Sequence, residues 1–206
     1  MEVIRGIRSL TKTLKNPVLT IGNFDGVHLG HQRIIGLAVE KARARGGSAV
    51  AYTFRPHPQV ALRPGADVQL LTTYDEKLDL MAALGLDAVI EEPFSREFST
   101  VAPQEFFTDV ILRRLSAQEI VVGYDFAFGK ERAGTLQALE DFCRGAGVAL
   151  TVVPPHREGT EVVSSSRIRQ HLKAGEVDAA AVLLGREFYY RGVVIKGEGR
   201  GRKIGF

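Results

Sequence analysis

Along this chain, short unbroken apolar runs alternate with longer stretches in which apolar residues recur every three or four positions. Val18–Gly22 has the pattern of a buried strand, and the helical spacing over Gly30–Arg45 stops at Gly46-Gly47. Ser48–Phe54 is a second strand pattern, followed by a loop that holds Pro56, Pro58 and Pro64. Thr73–Leu84 reads as a helix whose Thr73 and Glu76 stand at capping-box spacing. Asp87–Glu91 is a third strand, Pro103–Leu115 a helix with proline in its first turn, and Glu119–Val122 a fourth strand. Thr135–Gly145 is helical in spacing, and Val148–Val153 is the fifth strand.

This alternation predicts an α/β fold with a parallel sheet of about five strands and helices on both faces. Ligands of such sheets sit beyond the carboxyl ends of the strands, where the strand order reverses. Gly22–His31, Phe54–Pro58, Gly123–Gly129 and the segment after Val153 are therefore expected to meet at one crevice. Beyond Val153, Ser164–Gly175 and Glu176–Leu184 read as two short helices and Phe188–Ile195 as a strand. A boundary near Gly185 divides a body, 1–185, from a glycine-rich basic C-terminal segment, 186–206.

Composition changes this picture little. Apolar residues make up 45% of the 206 positions and charged residues 25%, ordinary globular usage. The net charge of +3 is local, since Arg191, Lys196, Arg200, Arg202 and Lys203 face Glu198 alone. A near-neutral body argues against a general affinity for nucleic acid. Cys143 is the single cysteine, so no internal disulfide framework exists, and its helical setting suggests a core position. No apolar run approaches the ~18 residues of a membrane span, and residues 1–17 lack a secretory core. A cytoplasmic protein with no membrane partner is expected.

The candidate chemistry lies in Gly22-Asn23-Phe24-Asp25-Gly26-Val27-His28-Leu29-Gly30-His31, between the first strand and the first helix. Two histidines three residues apart share a helix face, next to the free N–H groups and positive end of that helix. Gly30 carries no side chain, which admits an anion close to the backbone. Such a site suits adenylyl transfer, in which an already ionised phosphate attacks the α-phosphorus of ATP. The protein then has to position the reactants and neutralise developing charge, with Mg2+ carried mainly by the phosphates rather than by a protein metal site. The same histidines could instead be capping residues or a zinc pair, although no acid or cysteine cluster stands at matching spacing. Ser164-Ser165-Ser166-Arg167-Ile168-Arg169 opens a later helix, where hydroxyls cap and Arg169 can grip phosphate oxygens; an ordinary capped helix with solvated arginines fits equally well.

At these residues the sequence resembles the H-x-G-H nucleotidyltransferases, and specifically the bacterial FAD synthetase module. Gly22–His31 is similar to the family's G-N-F-D-G-V-H-x-G-H motif, and Val163–Arg169 to its I-S-S-T-x-I-R motif, with Val163 and Ser166 as departures. Phe54–Pro58 resembles its F-x-P-H-P loop, and Gly123–Lys130 its G-x-D-F-x-F-G-K segment. The resemblance implies a Rossmann-like nucleotidyltransferase fold that joins ATP and FMN into FAD. It implies catalytic roles for His28, His31 and Arg169, and ATP binding by Gly22, Asn23, Phe24, Asp25, Gly30, Ser164, Ser165 and Ser166. Phe54, Pro56, His57, Pro58, Asp125 and Phe126 would bind flavin, while His57 and Phe126 also suit purely structural roles. Gly192–Val194 and Gly197–Phe206 resemble the opening of a riboflavin kinase domain, whose P-T-A-N motif is expected beyond Phe206. Residues 186–206 are thus expected to be the start of a truncated kinase domain or a linker, with no kinase activity of their own. Transfer to nicotinate mononucleotide or phosphopantetheine remains an alternative, as does a flavin or nucleotide sensor without turnover.

Overall fold

Alternation along β2 (Val18–Ile21) and β3 (Ala49–Arg55) sends Leu19, Ile21, Val50 and Tyr52 to one face of a sheet and Val18, Ala49 and Ala51 to the other. Both faces are buried, and this is why these strands read as continuous apolar runs. The computed structural model describes residues 1–63, 65 and 67–205. Its main sheet adds β1 (Glu2–Arg5), β4 (Ala88–Pro93), β5 (Glu119–Gly123) and β6 (Ala149–Val153) in the order β1-β4-β3-β2-β5-β6. All neighbours pair in parallel.

One face is covered by α1 (Leu29–Ala44) and α3 (Tyr74–Ala83), through Ile35, Ala38, Ala42, Leu78 and Met81. The other is covered by a helix opening as α4 (Pro103–Glu105) and by α5 (Leu136–Ala146), which buries Leu139 and Cys143. A short helix, α2 (Pro58–Leu62), follows β3. The hairpin β7 (Arg157–Glu158) and β8 (Glu161–Val162) leads into α6 (Ser165–Ala174) and α7 (Val177–Leu184). These two helices share a separate cluster around Ile168, Ala180 and Leu183 with Leu71 and Val163. A last short helix is α8 (Arg200–Lys203).

The expected α/β architecture is present, and it differs in detail; the proline segment read as a loop, for instance, contains α2. The sheet has six strands, not five, because β1 adds at the edge beside β4. Only Ile4 of its four residues is buried, so it leaves almost no periodic trace. The helix expected over Pro103–Leu115 continues from Phe106 to Arg114 with wide π-type turns, and the Leu115 N–H reaches back five residues to Val110 O at 3.0 Å. The wider turn keeps Phe106, Phe107, Val110 and Ile111 all against the core. Phe188–Ile195 forms no strand: Val193, Val194 and Ile195 are exposed, and β character needs a neighbouring strand to complete the ladder. The Thr73–Glu76 capping box is present in both directions, at 2.8 and 3.2 Å.

The strand order reverses between β2 and β5, so their carboxyl ends open a crevice at the switch point. Ile120 sits fully buried in β5 beside Leu19. Its truncation in Ile120→Ala is expected to destabilise the fold by about 2–5 kcal/mol in urea unfolding; a loss under ~1 kcal/mol would show that the two strands do not share a tight core.

Candidate active site

The chain leaves β2 through a turn in which Phe24, Gly26 and Val27 all have positive φ, at 51°, 81° and 39°. Gly26 is required there twice over, since a Cβ would also lie 2.7 Å from Leu71 Cδ1. The turn delivers His28 to the N-cap of α1, where its Nδ1 accepts the His31 N–H at 3.3 Å. The two imidazoles stack with centroids 3.6 Å apart and planes at 17°. His31 meets the buried Phe24 ring edge-on at 5.3 Å, so Phe24 backs the pair from the core. A side chain at Gly30 would stand 3.2 Å from the His28 ring and press on it.

Burial lowers the proton affinity of both rings. His28 is pushed down to about 4, first by burial, with the charges of Arg186, His156 and Arg169 adding to the effect. His31 lies well below its ordinary value, first from burial and then from His28 and Lys77. Both are neutral at pH 7. Because Nδ1 of His28 accepts a hydrogen bond, its single proton resides on Nε2, which makes that nitrogen a donor.

The pair forms part of a crevice of about 690 Å³, within the size range of small-molecule sites. The four segments expected to meet there do so. On one side Ser164 caps α6, its Oγ accepting the Arg167 N–H at 3.2 Å. Ser165 Oγ donates to Asp25 O at 2.9 Å, and Ser166 also lines the crevice. Arg169 is tied by its Nη2 to Asp25 Oδ2 and by its Nε to Gln69 O at 2.6 Å, while Asp25 Oδ1 accepts the Leu71 N–H at 2.9 Å. Arg167 turns away to Glu161.

On the other side stands an aromatic wall. Phe54 contacts Phe94 edge-on at 5.4 Å and Phe98 at 6.0 Å, and Phe126 stacks on Phe128 at 5.4 Å and 18°. His57 caps α2, its Nδ1 accepting the Gln59 N–H at 3.2 Å, and is held neutral chiefly by burial. Gly22, Asn23, Pro58 and Asp125 line the crevice, Asp125 as an exposed residue. Pro56 does not: it is exposed and is not among the residues that line the crevice.

Phe94 and Phe98 escaped the sequence reading, although the rule that ligands sit past strand ends covers the segment after β4 as well. Lys77 escaped too. It lies on the inward stripe of α3 next to Leu78, and its buried ammonium donates to Thr53 Oγ1 at 3.0 Å, Phe54 O at 3.3 Å and Asn23 O at 3.5 Å. A lysine on an apolar helix face was the available signal. Burial lowers its pKa to about 8.

A family model for FAD synthetase matches residues 10–167. The chain belongs to the FAD synthetase family. Among curated relatives, the bifunctional riboflavin kinase/FMN adenylyltransferase of Bacillus subtilis (strain 168) is 37% identical over 190 residues, which cover 92% of this chain and 60% of the relative. The protein of the same name from Escherichia coli (strain K12) is 35% identical over 207 residues, covering 100% of this chain and 66% of the relative. The chain thus spans less than two thirds of the length of these relatives. A crystal structure of a macrolide-efflux protein from Streptococcus pneumoniae superposes with a TM-score of 0.84 at 30% identity, over 98% of this chain and 66% of that one. Pantoate–β-alanine ligase from Francisella tularensis shares the fold at 13% identity and a TM-score of 0.52, over 82% of this chain and 73% of that one. No described helix of this chain is long and apolar enough to cross a membrane.

The buried neutral histidines give acid sensitivity a definite sign. The unfolded chain takes up protons below about 6.5 that the folded site refuses, so stability falls as pH drops from about 6.5 toward 4. Each such group contributes a slope of up to about 1.4 kcal/mol per pH unit in that window. In His28→Gln the acid-side loss, followed by urea unfolding at a series of pH values, should be shallower. His57 adds the same sign, and His171, raised by Glu176 and Glu161, the opposite one, in both proteins. An unchanged slope would mean that His28 is not held neutral by burial.

Proposed function

We propose that this chain transfers AMP from ATP to the phosphate of FMN, forming FAD and releasing pyrophosphate, as one part of a parent protein that also phosphorylates riboflavin. The observation that carries the reading is the pairing of two unlike walls in one crevice. Stacked imidazoles at a helix mouth face the space on one side, and phenylalanines suited to an isoalloxazine ring line the other. The names of the curated relatives and the family match support the same substrates.

In the proposed reaction an ionised oxygen of the FMN phosphate bonds to the α-phosphorus of ATP. The bond from that phosphorus to the α,β-bridging oxygen breaks, and its electron pair leaves with pyrophosphate. No protein nucleophile is needed. His28, with its proton on Nε2, and His31 would donate to the phosphate as charge builds, helped by the positive end of α1. Ser164, Ser165, Ser166 and Arg169 would hold the triphosphate from the α6 side, with Arg169 exchanging its contact to Asp25 for phosphate oxygens. Phe54, Phe94, Phe98 and Phe126 would hold the flavin, with His57, Pro58 and Asp125 shaping the phosphate end.

Mg2+ fits this arrangement as a passenger of the triphosphate, because Asp25, the buried carboxylate of the crevice, is already committed to Arg169 and the Leu71 N–H. When bound it would supply further charge neutralisation on the phosphates. The proposed setting is the cytoplasm, with small-molecule substrates and neither nucleic acid nor membrane as partner.

Incubation with FMN, ATP and Mg2+ should yield FAD and equimolar pyrophosphate by chromatography. His28→Ala and His31→Ala should each lower turnover by ~100-fold or more. Folded protein that binds both substrates without releasing FAD would be a sensor; product from nicotinate mononucleotide or phosphopantetheine instead of FMN would reassign the acceptor.

A further inference from the structure

The exit of α7 lies against the mouth of α1. Gly185 caps α7 at φ 69°, and a Cβ there would stand 2.5 Å from Leu29 Cδ2, so the backbone passes the start of α1 at contact distance. The next residue, Arg186, turns its guanidinium inward. Nη2 donates to Gly26 O at 2.8 Å, and Nη1 reaches Val27 O and Leu184 O, each at 3.4 Å. Gln32, one turn into α1, donates its amide to the same Val27 and Leu184 carbonyls, both at 2.9 Å. Two side chains, one of them 159 residues along from Val27, therefore grip the turn in which Phe24, Gly26 and Val27 all carry positive φ.

These contacts matter because of peptide geometry. In a planar trans peptide the C=O and the following N–H point in opposite directions. Holding Val27 O from the Arg186 side therefore fixes the orientation of the His28 N–H and of the N–Cα bond, the axis about which the imidazole-bearing Cβ is set by the helix cap. Positive φ at Val27, a β-branched residue, is a strained state that persists only when its surroundings enforce it. Nη1 and Nη2 of the half-buried guanidinium donate to main-chain carbonyls, while its Nε is buried with no partner among the described residues. A cation desolvated on carbonyl oxygens is a costly way to hold a loop, and the loop it holds is the one that carries the catalytic candidates.

We propose that Arg186 is a positioning residue for adenylyl transfer: by gripping the Gly26 and Val27 carbonyls it fixes the His28–His31 stack at the mouth of α1. The inference rests on the transfer reading for its kinetic test but not for its spectroscopic one. It also makes the residue just beyond α7 part of the functional unit, past the boundary near Gly185 expected from the sequence.

The test compares wild type, Arg186→Ala and Arg186→Lys by FAD formation and by NMR of 15N-labelled histidine side chains. Arg186→Ala should lower kcat by ~10- to 100-fold, the scale of a small misplacement of reacting groups, with KM for FMN little changed. The His28 and His31 ring resonances should shift, and His28 should titrate at higher pH, since Arg186 is one of the charges, with His156 and Arg169, that oppose its protonation. Arg186→Lys, able to reach a carbonyl with one ammonium, should recover part of both effects. Unchanged kcat together with superimposable imidazole spectra would overturn the proposal. Wild type that forms no FAD would remove the proposed reaction, yet the imidazole spectra would still decide the role of Arg186. If Arg186→Ala does not fold, the lysine variant carries the test: an intermediate kcat with shifted rings supports the proposal, and wild-type behaviour in both measurements refutes it.

Discussion

How the chain leaves β2 constrains everything in the crevice. β2 lies between β3 and β5 in the interior of the sheet, and the residues after Ile21 have to turn at once into α1 without blocking the switch point. The turn does this through three positive φ angles and ends with the His28 ring capping its own helix. A cap provided by a histidine has a chemical consequence that a serine or aspartate cap lacks. It commits one ring nitrogen as acceptor and leaves the other as donor, so a structural hydrogen bond selects the tautomer that the proposed phosphate binding would use.

The environment of the pair works in the same direction. Burial and neighbouring cations keep both rings neutral, a state cheap to desolvate while the site is free of anions. In the proposed reaction, phosphates brought into the space would reverse that balance. Arg169 has an analogous arrangement: its pairing with Asp25 keeps a cation at the crevice compensated and oriented, and the proposed reaction would exchange that carboxylate for phosphate. Lys77 contributes from behind, bridging the exits of β2 and β3 through Asn23 O and Phe54 O and so keeping the two walls in register.

The fold divides these duties by layer. Packing on the two sheet faces, around Ile35 and Met81 on one and Ile111 and Leu139 on the other, gives the rigid frame. The third cluster, built by α6 and α7 on Leu71 and Val163, is small and holds the Arg169 helix against the Asp25 turn. The crevice is thus formed between a frame and an appended helical pair, which places its candidate anion-binding groups on separately packed elements.

Much of this was legible in the residues. Period and punctuation identify five of the six main-sheet strands, and the α/β order together with the strand-end rule locates the crevice without any tertiary contact. The capping box at Thr73 and the spacing of His28 and His31 are local features, carried by a few consecutive residues, and local patterns survive in sequence. What the sequence could not disclose depends on partners far along the chain. β1 is a strand only because β4 offers it an edge, and Phe188–Ile195 is not one because no such edge is offered among the described residues. Pro56 sits in the motif yet off the crevice, since adjacency in sequence does not settle which residues line it. The roles of Lys77 and Arg186 likewise arise from carbonyls dozens of residues away. Local hydrogen bonding and periodicity determine which elements form; only the closing of long-range contacts decides which polar groups are left facing one another.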